Sequence, residues 1–63
     1  MTYETILWQQ HEGVGVITLN DPRAMNALSS RMRSEISRAV QEAPSLGARV
    51  LVLTGEGRAF CSG

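Results

Sequence analysis

Apolar and β-branched residues in the first third of the chain predict a hairpin of two strands. Residues 6–10 and 14–19 are rich in aliphatic and aromatic side chains, which favour strands. The connection at 11–13 is short and contains a glycine, as hairpin turns do. Because residues 14–19 are apolar on both faces, we expect this strand to be covered on both sides, which a lone hairpin cannot provide.

A helix is predicted after Pro22, which ends the second strand because proline has no N–H to give to a ladder. Ser29 or Ser30 is suited to cap the helix, and Pro44 with Gly47 is suited to end it. The apolar stripe at helical spacing consists of Met32, Ile36, Ala39, Val40 and Ala43. The opposite face carries the charged residues Arg31, Glu35, Arg38 and Glu42, which we expect to lie in solvent.

The uninterrupted apolar run at 50–54 predicts a third strand, and its lack of alternation predicts burial on both faces. A crossover through the helix makes this strand parallel to the second one. The order is therefore strand, strand, helix, strand, which is an α/β arrangement. Residues 55–58 form a loop, and 59–63 begin another short extended segment.

The composition narrows the possible functions. The 63 residues form one domain at most, and a chain of this size buries only about 60% of its unfolded surface. One cysteine and one histidine exclude an internal disulfide and a Cys/His zinc site. The net charge of zero argues against nucleic-acid binding. The start of the sequence does not resemble a secretory signal, and no apolar run reaches the ~20 residues that span a bilayer. We therefore expect a soluble, cytoplasmic protein that needs further structure to be stable.

Common nucleotide-binding motifs are absent from the sequence. Gly13 and Gly15 flank the start of a strand without completing a dinucleotide fingerprint, and the Gly55–Arg58 segment lacks the lysine of a phosphate loop. His11 is expected at an exposed hairpin tip. Cys61 is expected to be a small buried thiol, because no activating base is evident near it.

Two segments together resemble the crotonase superfamily, which includes the enoyl-CoA hydratase/isomerase family. Residues 16–28 read V-I-T-L-N-D-P-R-A-M-N-A-L and resemble the family pattern V-x-x-I-T-L-N-R-P-x-x-x-N-A-L. Residues 50–63 read V-L-V-L-T-G-E-G-R-A-F-C-S-G and resemble V-V-L-T-G-x-G-x-A-F-C-A-G. Asp21 replaces the usual arginine and Ser62 the usual alanine. The order and spacing of the two segments also match, and the resemblance covers nearly the whole chain.

The resemblance implies a fold and a substrate. Residues 1–63 would be the N-terminal ββαβ part of a single crotonase-type domain, a spiral of ββα units that is incomplete with this part alone. Proteins of the superfamily bind acyl-CoA thioesters and stabilise the thioester enolate with two backbone N–H groups, the oxyanion hole. Coenzyme A is part of the substrate, and no separate cofactor is expected. The implied partners are the acyl-CoA, the remainder of the same chain, and further copies in a trimer or hexamer, without nucleic acid or membrane.

The resemblance assigns binding roles but no catalytic side chain within this sequence. Arg23 matches the basic residue near the CoA phosphates, and Ala24 and Met25 match contacts to adenosine and pantetheine. Ser62 and Gly63 match small residues beside the adenine and the thioester. The first oxyanion donor is expected immediately after Gly63, and the catalytic glutamates further on.

The subtype and the catalytic status stay open at this point. Hydratase, isomerase, dehalogenase, hydrolase, carbon–carbon lyase and naphthoate-synthase branches share these N-terminal segments. The alternative from another class is a non-catalytic binding or assembly module of the crotonase type. Glu35 and Glu42 are not candidates for the catalytic acids, since both are predicted on the solvated face of the helix.

Overall fold

A three-stranded sheet with one helix against it forms the described part of the chain, residues 3–21 and 28–56 of a computed structural model. The elements are β1 (Ile6–His11), β2 (Val14–Leu19), α1 (Ser30–Glu42), a 3₁₀ turn (Ala43–Leu46) and β3 (Val50–Gly55). The sheet order is β1-β2-β3, with β1 antiparallel and β3 parallel to β2. The predicted α/β class and the ββαβ order are confirmed.

The hairpin is closed by a two-residue turn whose geometry suits twisted strands. His11 pairs with Val14, and the register runs without a break to Ile6 opposite Leu19. Glu12 and Gly13 have φ values of 50° and 82°. Positive φ at both turn positions is the type I′ pattern, which matches the right-handed twist of the flanking strands.

Both ends of α1 follow the sequence signals. The Ser29 hydroxyl accepts the backbone N–H of Met32 at 3.1 Å and so caps the first turn. At the other end Pro44 lies in the first turn of the 3₁₀ segment. Gly47 then adopts the left-handed conformation at φ 90° and donates its N–H to carbonyls of that segment.

The core lies between α1 and one face of β1 and β2. It consists of Ile6, Ile17, Leu19, Met32 and Ala39, none more than 2% exposed. The prediction that Val40 belongs to the buried stripe is wrong, since it is 45% exposed. The helix is rotated so that Glu35, on the other flank of the stripe, is buried in its place.

β3 differs from the sequence prediction in its burial. It is parallel to β2 as predicted, but Val50, Leu51, Val52 and Leu53 are between 40% and 57% exposed. The reason is that α1 packs against β1 and β2 and leaves both faces of β3 uncovered. Within residues 3–21 and 28–56, no strand pairs with the outer edge of β3. The burial prediction is therefore wrong for these residues by themselves.

Candidate functional site

The two family-like segments leave the sheet side by side. Because β2 and β3 are parallel, Leu19 at the end of β2 pairs with Gly55 at the end of β3. The backbone N–H of Glu56 donates to the Leu19 carbonyl at 2.8 Å. Segments 20–28 and 56–63 therefore start from adjacent points at the carboxyl edge of the two strands. In open α/β sheets, ligands bind outside the carboxyl ends of strands.

The predicted binding residues belong to these two segments of the sequence. Arg23, Ala24, Met25, Ser62 and Gly63 lie outside the described residues, as does Cys61. The structure thus brings together the starting points of the two segments and leaves the predicted contacts to coenzyme A as predictions.

The described residues on either side of 22–27 are held by specific hydrogen bonds. On the strand side, the N–H of Asn20 donates to the carbonyl of Thr5 at 2.8 Å. On the helix side, Ser29 caps α1 through its hydroxyl, and its carbonyl accepts the N–H of Arg33 at 3.0 Å.

A buried carboxylate on α1 contacts the segment before β1, which the sequence pattern did not predict. Glu35 is only 4% exposed. Its Oε2 accepts the N–H of Glu4 at 2.9 Å, and its Oε1 accepts both the N–H and the hydroxyl of Thr5, at 2.8 and 2.7 Å. The prediction that Glu35 is solvated is wrong, because residues 3–5 pass over α1 and supply donors that replace water.

The hydrogen bonds keep this carboxylate ionised despite its burial. Burial opposes ionisation, but the Thr5 hydroxyl, the N–H groups of Glu4 and Thr5, and the nearby positive charge of Arg31 outweigh it. Together they hold the pKa of Glu35 below its usual value. Within the described residues, no buried side-chain nitrogen or oxygen lacks a hydrogen-bond partner. Glu35 is therefore a buried anion whose two carboxylate oxygens both accept hydrogen bonds from residues 4 and 5.

Three further charged residues of α1 also contact the N-terminal segment. Arg31 forms a salt bridge with Glu4. The guanidinium of Arg38 lies 5.4 Å from the centre of the Tyr3 ring, and the Tyr3 hydroxyl donates to Glu42 Oε1 at 3.3 Å. The strip of charged side chains on α1 that contacts residues 3–5 thus consists of Arg31, Glu35, Arg38 and Glu42. The spacing of Glu35, three residues after Met32 and four before Ala39, is the sequence signal for its burial.

The described part of the chain also bears on the histidine, on metal binding and on membrane crossing. His11 is exposed at the hairpin tip as predicted, with 88% of its side chain accessible. Residues 3–21 and 28–56 hold no group of three or more His, Cys, Asp or Glu side chains placed to bind a metal ion. In the same two stretches, no helix has the length and apolar character needed to cross a bilayer.

Comparison with known proteins shows which family the sequence matches. The sequence model of the enoyl-CoA hydratase/isomerase family matches residues 9–63. A probable enoyl-CoA hydratase of Rhodobacter capsulatus is 52% identical over 63 residues, which cover 100% of this chain and 24% of that protein. A probable 3-hydroxyisobutyryl-CoA hydrolase of Arabidopsis thaliana is 39% identical over 61 residues, covering 92% of this chain and 16% of that protein.

The fold is shared with solved structures. The crystal structure of an enoyl-CoA hydratase/isomerase from Mycobacterium paratuberculosis matches with a TM-score of 0.91 and 44% identity, covering 98% of this chain and 25% of that one. The chain therefore spans about a quarter of the length of that structure and of the R. capsulatus relative. Because the family match covers most of the sequence, the chain belongs to the enoyl-CoA hydratase/isomerase family of the crotonase superfamily.

Proposed function

We propose that this chain is the acyl-CoA-binding N-terminal part of a longer enoyl-CoA hydratase-like enzyme that stabilises a thioester enolate in an oxyanion hole. The observation that carries the proposal is the pairing of Leu19 with Gly55. It starts both family-like segments from one sheet edge, so a single ligand can contact both. Family membership and the naming of relatives as hydratases support the same activity.

The binding roles follow the two segments. The Arg23 guanidinium pairs with the CoA phosphates through charge-assisted hydrogen bonds, which suit its planar, permanently charged head. Ala24 and Met25 contact the adenosine and pantetheine portions. Ser62 and Gly63 let the second segment pass close to the adenine and thioester, since glycine has no Cβ to hold the ligand away.

The chemistry depends on the backbone just beyond Gly63. Water addition to an enoyl thioester, or proton removal next to its carbonyl, places negative charge on the carbonyl oxygen. The residue that follows Gly63 donates its N–H to that oxygen. One such donor lowers the barrier by about 2.7–4 kcal/mol in comparable sites. The second donor and the glutamates that act as acid and base belong to the rest of the longer protein. No cofactor is required besides the coenzyme A of the substrate.

The exposed strand β3 provides a place for that remainder. Its apolar residues are accessible on both faces, and its outer edge has no partner among the described residues. We propose that the following part of the same chain covers β3. Assembly into trimers or hexamers, and a cytoplasmic location, are further parts of the proposal.

Steady-state hydration of crotonyl-CoA by the full-length protein tests the proposal. Gly63→Val should lower kcat by about 10²–10³ while the melting temperature changes little, because the side chain turns the oxyanion donor away. Gly13→Val is the matched control. Gly13 has φ 82° at the opposite end of the strands, so this change should lower the melting temperature and leave kcat near the wild-type value.

The outcomes separate the alternatives. A wild-type rate for Gly63→Val would overturn the assignment of this segment to the oxyanion hole. A wild-type protein that binds acyl-CoA thioesters without turning over any of them would instead favour the non-catalytic module.

A further inference from the structure

Glu35 is a buried anion that the proposed chemistry does not use. It is 4% exposed and makes all of its hydrogen bonds to residues 4 and 5, which are 30 or more positions away in sequence. A surface glutamate would avoid the cost of leaving water, whereas a buried one is retained only when fixed donors compensate for it. The position of those donors indicates what the carboxylate does.

We propose that Glu35 is a positioning residue for the acyl-CoA site, acting through Thr5 on the ends of the segment that follows β2. This inference rests on the proposed function. The connection starts at Glu35 Oε1, which accepts the N–H and hydroxyl of Thr5. It continues through the Thr5 carbonyl, which accepts the N–H of Asn20 at 2.8 Å. Asn20 is the first residue after β2.

The same carboxylate is fixed to the other end of the segment by the helix. Glu35 lies six residues after the Ser29 cap, roughly 9 Å along the axis at 1.5 Å per residue. The helix between them is continuous, so Ser29 and Glu35 move together. One carboxylate therefore links Asn20, where the chain leaves the sheet, to Ser29, where it enters the helix, in addition to the core packing of α1 on β1 and β2.

The consequence for binding is preorganisation. If the Glu35–Thr5 connection is weakened, the ends of the segment gain freedom that the acyl-CoA must remove when it binds. This cost falls on substrate binding and not on the oxyanion donor, which lies beyond Gly63 in the other segment. The expected signature is a higher KM with kcat nearly unchanged.

The experiment uses the full-length protein and crotonyl-CoA, at a temperature where every variant is folded. Glu35→Gln replaces one of the two accepting oxygens with an NH2 group, which cannot accept a hydrogen bond, and Thr5→Val replaces the hydroxyl with a methyl group. We expect each to raise KM about 3- to 10-fold, the loss of one modest hydrogen bond, with kcat within about twofold of the wild type. Thr5→Ser keeps the hydroxyl and should leave KM near the wild-type value.

Glu42→Gln is the matched control. It is the same substitution on the same helix, but Glu42 accepts from the Tyr3 hydroxyl, whereas the hydrogen bonds of the Thr5 N–H and hydroxyl go to Glu35. It should leave KM at the wild-type value. In the double variant Glu35→Gln/Thr5→Val, the KM increase should be smaller than the product of the single increases, because both act on one connection.

Three results would overturn the inference. The first is an unchanged KM for both Glu35→Gln and Thr5→Val with a lowered melting temperature, which is a purely structural role. The second is an equal KM increase in Glu42→Gln, which would show that the loss of any negative charge on α1 raises KM. The third is a fall in kcat at constant KM. If the wild-type protein neither binds nor converts any acyl-CoA, the proposed function itself fails, and this inference fails with it.

Discussion

Leu53 on β3 allows a quantitative test of whether the exposed strand is covered in the full-length protein. Leu53 is 49% exposed in this chain, whereas Leu19 on the neighbouring strand is 1% exposed. Full burial of a leucine side chain is worth about 1.5–3 kcal/mol, so a half-exposed leucine contributes on the order of 1 kcal/mol. Truncation of a fully buried leucine to alanine costs about 2–5 kcal/mol, because a cavity is left. If the rest of the protein covers β3, Leu53→Ala should therefore cost about 2–5 kcal/mol.

The assay is urea unfolding of full-length wild type, Leu53→Ala and Leu19→Ala, followed by far-ultraviolet circular dichroism. We expect both variants to lose about 2–5 kcal/mol. A loss of about 1 kcal/mol or less for Leu53→Ala, beside a loss of several kcal/mol for Leu19→Ala, would refute the covering of β3. The 63-residue chain alone should associate through β3 and show no cooperative unfolding as a monomer. A monomeric mass with a cooperative transition would contradict the same reasoning.

Three further predictions concern single side chains in the full-length protein. Arg23→Ala should raise KM for acyl-CoA roughly tenfold with kcat nearly unchanged, in a way that weakens with salt; steady-state kinetics at two ionic strengths measure it. Gly15→Ala should cost about 1–3 kcal/mol in urea unfolding, because a Cβ there would lie 2.5 Å from Cη2 of Trp8. The stability lost in Glu35→Gln should be largest above pH 4.5, the usual pKa, and should shrink as pH falls through the lowered pKa of the folded state.

Each of these predictions has a result that contradicts it. A collapse of kcat at constant KM would give Arg23 a different role. For Gly15→Ala, the added change Trp8→Leu should recover part of the loss, and strict additivity of the two would argue against the contact. For Glu35, a stability difference that grows on acidification would reverse the sign expected for a carboxylate with a lowered pKa.

The elements of the fold could be predicted because their signals are local. The hairpin turn needs only a short connection with a residue that tolerates positive φ, and Glu12–Gly13 supplies it. The helix start needs only a hydroxyl at Ser29 to accept the N–H of Met32. The parallel pairing of β3 follows from a crossover through one helix.

The burial of Glu35 could not be predicted from the helix pattern alone. A glutamate next to an apolar stripe is normally solvated, and its burial here depends on donors from residues 4 and 5. Those donors belong to a segment before β1 that has no helical or strand pattern of its own. Such a contact between distant segments leaves only a weak signal, the position of Glu35 between Met32 and Ala39.

The burial predicted for β3 is wrong for a different reason. The apolar run from Val50 to Leu53 correctly indicates a strand suited to burial, but the described residues do not contain enough structure to cover it. The predicted CoA contacts at Arg23 and Gly63 depend on the resemblance and lie outside the described residues, so they stay predictions.

Amide hydrogen exchange of the full-length protein, with and without butyryl-CoA, tests the central claim most directly. Butyryl-CoA is saturated and cannot be hydrated, so the bound state does not change during the measurement. If one acyl-CoA site lies at the edge where Leu19 pairs with Gly55, peptides covering 20–28 and 56–63 should gain protection together. Peptides from the hairpin tip around 11–14 should be unchanged. Protection confined to other parts of the protein, or none at saturating butyryl-CoA, would contradict the account.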